Sequence, residues 1–262
     1  MQAVARRYAA RGTLNVRPSR MHPLLLIQTG EAPEAIHAQY GGFADWFREA
    51  MRLQPTQMRV VRVDAGEQLP PPRDVAGAVI TGSGAMVTDR AGWSEYTAGW
   101  IRDALHAQAP MFGVCYGHQL MAHALGGVVG WLPAGREIGT ATIDRHRNAD
   151  SAILDLLPRS FAAHTTHRQS VLEPPSGSEI LARSGRDPHQ MLGYAPHALS
   201  TQFHPEFTAA TMRAYIAARA DTLREEGFDP DALGNAVRET EVARSLLERF
   251  AQDALTGRHL AA

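Results

Sequence analysis

The chain has 262 residues, with 26 Lys plus Arg against 27 Asp plus Glu and a formal net charge of -1, so no global field would draw it to nucleic acid or to an anionic membrane. A single cysteine excludes an internal disulfide framework, and no apolar run approaches the roughly 20 residues that a membrane-spanning helix needs. The expectation is a soluble, cytoplasmic protein acting on a small molecule, long enough for one large α/β domain with a substantial core.

Arg6, Arg7, Arg11, Arg17 and Arg20 stand in the first 20 residues without an acidic neighbour. That is the composition of an organelle transit peptide, but it brings too few large apolar side chains to bury. Residues 1–20 are therefore expected to be a disordered extension, and residues 21–262 a single domain with a natural beginning at Met21. The apolar run Leu24 to Ile27 reads as a central strand covered on both faces. Phe43, Trp46, Phe47, Ala50 and Met51 recur at helical spacing, and a Val-rich strand follows from Met58 to Val63.

The prolines at 70–72 mark a loop, then Val75 to Ile80 gives a third strand ending in the turn Thr81-Gly82-Ser83-Gly84. A helix from Trp93 or Ser94 to about Gln108 is predicted with Tyr96, Trp100, Ile101, Ala104 and Leu105 on its apolar face, and the next strand is Pro110 to Val114. This alternation predicts a doubly wound, mostly parallel sheet. Beyond Gly127 the short pieces Ile138–Ile143, Ala163–Thr166, Ile180–Ala182 and Met191–Tyr194 predict a small antiparallel extension. The last strand should span Ala198–Phe203, with helices over Thr208–Glu226 and Asp231–Leu255. Val237, Val242, Leu246, Leu247 and Phe250 form the stripe by which the final helix packs on the core.

Cys115 lies where an apolar strand runs into a helix, with Gly113 two residues before it and Gly117 two after. That is the layout of a nucleophile elbow, a strained turn that needs small neighbours and presents its side chain above the sheet edge. At a helix start the thiolate form is favoured. The elbow alone fits a packing cysteine as well as a nucleophile. The second half of a site is His204-Pro205-Glu206 at the end of the last strand, where Pro205 keeps His204 extended and a carboxylate two residues on can orient the imidazole.

The stretch from Gly113 to Gln119 with Phe203 to Glu206, preceded by Ile80-Thr81-Gly82-Ser83 and joined by Gly135 to Gly139 and His167 to Val171, resembles the class I glutamine amidotransferase superfamily. The resemblance runs from about Leu24 to Ala220 and is greatest to stand-alone proteins similar to the amidotransferase domain of GMP synthase. It implies a flavodoxin-like α/β fold, Cys115 as attacking thiolate, His204 as base then acid, and Glu206 as its orienting partner. It also implies an oxyanion hole from the amides of Ser83 and Tyr116. Gln119 would hold the α-amino and carboxylate end of glutamine, with His167, Arg168, Gln169 and Ser170 lining the pocket. Two positions depart from the family pattern: Ser83 where a second glycine is common, and Gln169 where an acidic residue is common.

The implied reaction releases ammonia from the glutamine side chain through a γ-glutamyl thioester and needs no metal or organic cofactor. His118 and His123, five apart on one helix, diverge and do not make a zinc pair with His164 or His167. Ser83 lacks the Gly-x-Ser-x-Gly frame of a serine nucleophile, and Glu137 is assigned no chemistry. The sequence has no P-loop and no second catalytic domain to consume ammonia. Three readings follow: a subunit that supplies ammonia to a partner synthetase, a free-standing γ-glutamyl peptidase, or a catalytically silent binding module. The related cysteine-elbow glyoxalase and chaperone families lack the His-Pro-Glu end of the last strand.

Overall fold

The computed structural model of the chain describes residues 22–146 and 157–257; the extension expected over 1–20 and the beginning expected at Met21 lie outside the described residues. The first half alternates as β1 (Leu24–Gln28), α1 (Glu34–Tyr40), α2 (Phe43–Ala50), β2 (Met58–Arg62), β3 (Gly77–Ile80), α3 (Gly92–His106), β4 (Met111–Val114) and α4 (Tyr116–Ala124). The strands β5 (Val128–Trp131), β6 (Glu137–Arg145), β7 (Ser160–His167), β8 (Gln169–Glu173), β9 (Glu179–Arg183), β10 (Met191–Ala195) and β11 (Ala198–Thr201) follow. The chain then turns helical in α5 (Ala209–Ala218), α6 (Ala220–Glu225), α7 (Pro230–Ala236) and α8 (Glu241–Thr256).

β2, β1, β3, β4 and β11 lie side by side in that order and are parallel, and β10, β9, β6 and β7 continue the sheet antiparallel. The period of two along β1 divides its side chains between two cores. Leu24 and Leu26 meet Phe47, Phe112 and Phe250 on one face, whereas Leu25 and Ile27 meet Ile80, Ile101 and Leu120 on the other. All four β1 residues from Leu24 to Ile27 are fully buried, which contributes about 1.5–3 kcal/mol each relative to exposure. This is the doubly wound arrangement expected, and it brings the carboxyl ends of β3, β4 and β11 together on one rim.

Several elements differ from the sequence reading. Tyr96 faces outward and accepts from the Leu69 amide at 3.1 Å; Ser94, Thr97 and Ala98 take the buried face instead, because small side chains let α3 approach the sheet closely. The helix expected over Thr208–Glu226 breaks at Arg219. The one expected over Asp231–Leu255 breaks where Val237 leaves the helical region at ψ 128. Val237 is buried at that break, and Val242 is exposed on α8 while Leu246, Leu247 and Phe250 pack inward. β11 ends at Thr201, two residues short of Phe203. Helix α1 and the separate two-stranded ribbon of β5 and β8 were not anticipated.

Candidate active site

Cys115 joins β4 to α4 with φ 51 and ψ -98, a region that costs a residue with a Cβ of order 1–3 kcal/mol and persists only where the surroundings enforce it. Here they do. The Cys115 amide donates to the Thr201 carbonyl of β11 at 2.8 Å, and the Gly117 amide donates to the Thr81 carbonyl beyond β3 at 3.1 Å. A Cβ at Gly113 would stand 2.6 Å from the Gly117 carbonyl oxygen, and one at Gly117 would run into the Ile80 backbone. Both glycines are therefore required by close approach of backbone to backbone.

The backbone of His204 is tied down from the far edge of the sheet, its amide donating to the His164 carbonyl of β7 at 2.8 Å. The imidazole Nδ1 meets Glu206 Oε1 at 2.7 Å, and the ring stacks on Phe207 with centroids 4.2 Å apart. Cys115 and His204 converge on one glycine: a Cβ at Gly82 would lie 3.2 Å from the His204 ring and 3.6 Å from the Cys115 Cβ. Nε2, turned away from Glu206, is buried without an aligned hydrogen bond among the described residues, a common state for a catalytic pair before substrate tightens it. Burial alone would depress the imidazole, but the Glu206 carboxylate and then the charge of Cys115 push its pKa up to about 10.

Above these groups is a cavity of about 250 Å³ whose walls include Cys115, Tyr116, Ser83, Gln119, His167 and Arg168, with Gln169 beside them. The amides of Tyr116 and Ser83 make no hydrogen bond among the described residues. Thr29, following β1, fixes the turn that carries Ser83, its hydroxyl donating to the Gly82 carbonyl at 2.9 Å and its amide to Thr81 Oγ1 at 3.1 Å.

A family model described as glutamine amidotransferase class-I matches residues 39–220. The chain belongs to the class-I glutamine amidotransferase family. It is 36% identical over 140 residues to the A subunit of a glutamine-hydrolysing GMP synthase from Methanopyrus kandleri, covering 52% of this chain and 71% of that protein. It is 28% identical over 174 residues to gamma-glutamyl peptidase 5 of Arabidopsis thaliana, covering 64% and 69%. The solved structure of a glutamine amidotransferase from Thermotoga maritima superposes with a TM-score of 0.70 at 24% identity, over 88% of this chain and 99% of that one. The chain spans only 21% and 34% of the length of the GMP synthases of Thermomicrobium roseum and Aeropyrum pernix that it also matches.

Not every amidotransferase position named from sequence reaches the cavity. Ser170 is buried and turned away, its hydroxyl donating to Asp187 Oδ2 at 2.6 Å. Gln119 spends its amide nitrogen on the Gln169 carbonyl at 2.7 Å and on Gln202 Oε1 at 2.9 Å, while Gln169 donates to Thr88 at 2.7 Å. His167 is fixed by Glu137 Oε2 at 3.0 Å, and Gln190 donates to the same oxygen at 2.6 Å. Glu137, assigned no chemistry from sequence, is thus a buried anchor for a pocket wall. Arg136 and Arg219 also line the cavity and were missed; Arg136 stands inside the Gly135 to Gly139 stretch and Arg219 at the end of the resemblance, but no spacing rule connects either to Cys115. Among the described residues no group of three or more His, Cys, Asp or Glu is disposed to hold a metal ion, and no helix is long and apolar enough to cross a membrane.

Two histidines of this amidotransferase fold titrate against the native state. His118, held to Ser200 Oγ at 2.7 Å, is pushed down to about 3 by burial and then by the charges of His167 and His189; His164 is pushed down to about 4 by burial, then by His204 and Arg213. Both titrate near 6.5 when unfolded. A depressed folded value means stability that is intact above about 6.5 and lost as the pH falls toward 4, at about 1.4 kcal/mol per unit of difference. His204 has the opposite sign: its contribution is intact below about 6.5 and fades as the pH rises through 10, so it does not offset the acid loss. Urea unfolding at pH 4.5 is expected to give a free energy several kcal/mol below that at pH 7; a flat profile would show that these histidines are not held neutral.

Proposed function

We propose that the chain hydrolyses a γ-glutamyl amide through a thioester at Cys115, with glutamine as the simplest substrate and its ammonia delivered to a partner synthetase. The observation that carries this reading is the convergence of a strained cysteine and a Glu206-anchored imidazole on Gly82, beneath a cavity with two free amides. Cys115 sulfur, its proton taken by His204, attacks the amide carbon, and the oxygen that becomes negative meets the Tyr116 and Ser83 amides. The carbon–nitrogen bond then breaks as His204 gives its proton to the leaving nitrogen. Water, deprotonated by the same imidazole, cleaves the thioester to release glutamate and restore the thiol.

The synthetase is supported by the relative described as the A subunit of a GMP synthase. A second reading, a peptidase acting on γ-glutamyl conjugates, is favoured by a larger cavity of about 550 Å³ that shares Arg136 and Arg168 with the first. The test is intact-mass analysis after exposure to a glutamine-analogue electrophile. One adduct on Cys115, blocked by excess glutamine or by a γ-glutamyl dipeptide, is expected; no adduct, with the protein folded, would sink the thioester.

A further inference from the structure

The two cavities meet at a wall of unbalanced positive charge. Arg136, Arg168, Arg186 and Arg219 line one or both, and among the described residues Glu226 is the only acidic one in their walls. Glu226 is taken: Arg136 grips it with two hydrogen bonds, at 2.6 and 2.8 Å. Arg186 is occupied with the Ala134 and Arg136 carbonyls. Arg168 and Arg219 make no ion pair among the described residues.

Arg219 is the more telling of the two. It occupies the break between α5 and α6, and its Nη1 is buried without a hydrogen-bond partner among the described residues. Its guanidinium lies 4.6 Å from the Tyr215 ring centroid; Tyr215 stacks on Phe207 at 4.9 Å, and Phe207 stacks on His204 at 4.2 Å. A continuous column therefore fixes this cation relative to the imidazole. A half-buried guanidinium with one fully buried, unmet donor, beside the like charges of Arg136 and Arg168, is costly to keep unless an anion arrives to use it. Planar, forked donors of this kind suit a carboxylate.

The larger cavity beyond Arg136 and Arg168 adds a second constraint. Its wall includes Trp131, with Arg168 over the ring at 5.3 Å, and Phe228, with Arg186 over it at 5.6 Å, next to Leu132. Free glutamine has one carboxylate and no atoms on the far side of the scissile nitrogen to fill this space. We infer that the preferred substrate is a γ-glutamyl amino acid whose leaving amine carries a carboxylate bound by Arg219 and Arg168, with its apolar side chain in the Trp131–Phe228 cavity. The inference rests on the thioester reading in its second, peptidase form: the carbon–nitrogen bond broken is the γ-glutamyl amide bond, and the amine leaves with a proton from His204 as a free amino acid in place of ammonia.

The substrate pair that tests this is γ-glutamyl-phenylalanine and γ-glutamyl-phenylalaninamide, which differ only at the leaving group's carboxyl end, a carboxylate against an uncharged carboxamide. For the native protein kcat/KM is expected to favour the acid by about 10–100-fold, below the roughly 10⁴–10⁵ reached where fully buried donors are left unpaired, because these arginines are only partly buried and a carboxamide oxygen can still accept from them. Arg219→Gln is expected to collapse that ratio toward one. Equal turnover of the pair by the native protein would overturn the inference, as would a ratio unchanged in Arg219→Gln. In the latter case the guanidinium serves the glutamyl end, which both substrates share. Glutamine turnover and the Cys115 adduct are measured alongside. If they are present without a preference for the acid, only this inference fails; if both are absent, the thioester reading fails and takes the inference with it.

Discussion

Cys115→Ala is expected to lower glutamine or γ-glutamyl amide turnover by at least about 10⁴-fold while the protein stays folded, since removing a nucleophile leaves only binding and oxyanion contacts. Glutamate release measures the first part and thermal unfolding the second. Stability should barely fall, because alanine retains the Cβ and loses one sulfur from the edge of the cavity. A sharper discrimination comes from Cys115→Gly. The backbone at φ 51 and ψ -98 is uncomfortable for any side chain with a Cβ but open to glycine, so the glycine variant should be equally inactive yet more stable than the alanine variant by about 1 kcal/mol. That outcome would show strain held at the position where the chemistry is proposed to occur. A Cys115→Ala rate within 10-fold of native would remove the thioester from the mechanism altogether.

The sequence carried different parts of this site with different strength. The β1 run was legible because four consecutive large apolar residues between polar turns need cover on every side, and their division between two cores is that of a sheet covered on both faces. The elbow was legible because Gly113, Cys115 and Gly117 answer one local steric demand. The break at Arg219 was not: no glycine or proline marks it, and the residues on either side are good helix formers. Nor was the role of Glu137. Its importance comes from His167, 30 residues away, and Gln190, 53 residues away, and a single charged residue in a sequence is normally a solvated one. Tyr96 shows the reverse error, an aromatic residue at core spacing that lies on the surface because smaller neighbours let the helix seat more deeply. Local rules reported local geometry; the arginine wall is assembled from the segment leading into β6, the segment joining β7 to β8, and the junction of α5 with α6, and only tertiary structure puts those together.

Gly117→Ala should be the most damaging single-methyl change at the site. Gly117 lies in the first turn of α4, one residue after the Tyr116 amide, and a Cβ there would press on the Ile80 carbonyl oxygen, with the Ile80 Cβ only 2.9 Å away. Neither obstacle is the end of a flexible side chain. β3 is clamped between β1 and β4, so its backbone has nowhere to go, and α4 is held by the Gly117 amide bond to Thr81. Overpacking of this kind costs about 1–3 kcal/mol and more where backbone must move. The movement would also carry the Tyr116 amide away from the reacting carbonyl, so turnover should fall along with stability. Gly99→Ala supplies the contrast. It adds the same methyl group within α3, where the nearest obstacle is the far end of Arg102 at 3.7 Å, and glycine in a helix is about 0.5–1 kcal/mol worse than alanine. One variant should therefore unfold at lower denaturant and lose activity, and the other should unfold at higher denaturant and keep it. If Gly117→Ala matched the native protein in both measurements, the tight contact of α4 with β3 would not be what holds Cys115 in its strained conformation, and the physical basis for presenting a nucleophile on this turn would be gone.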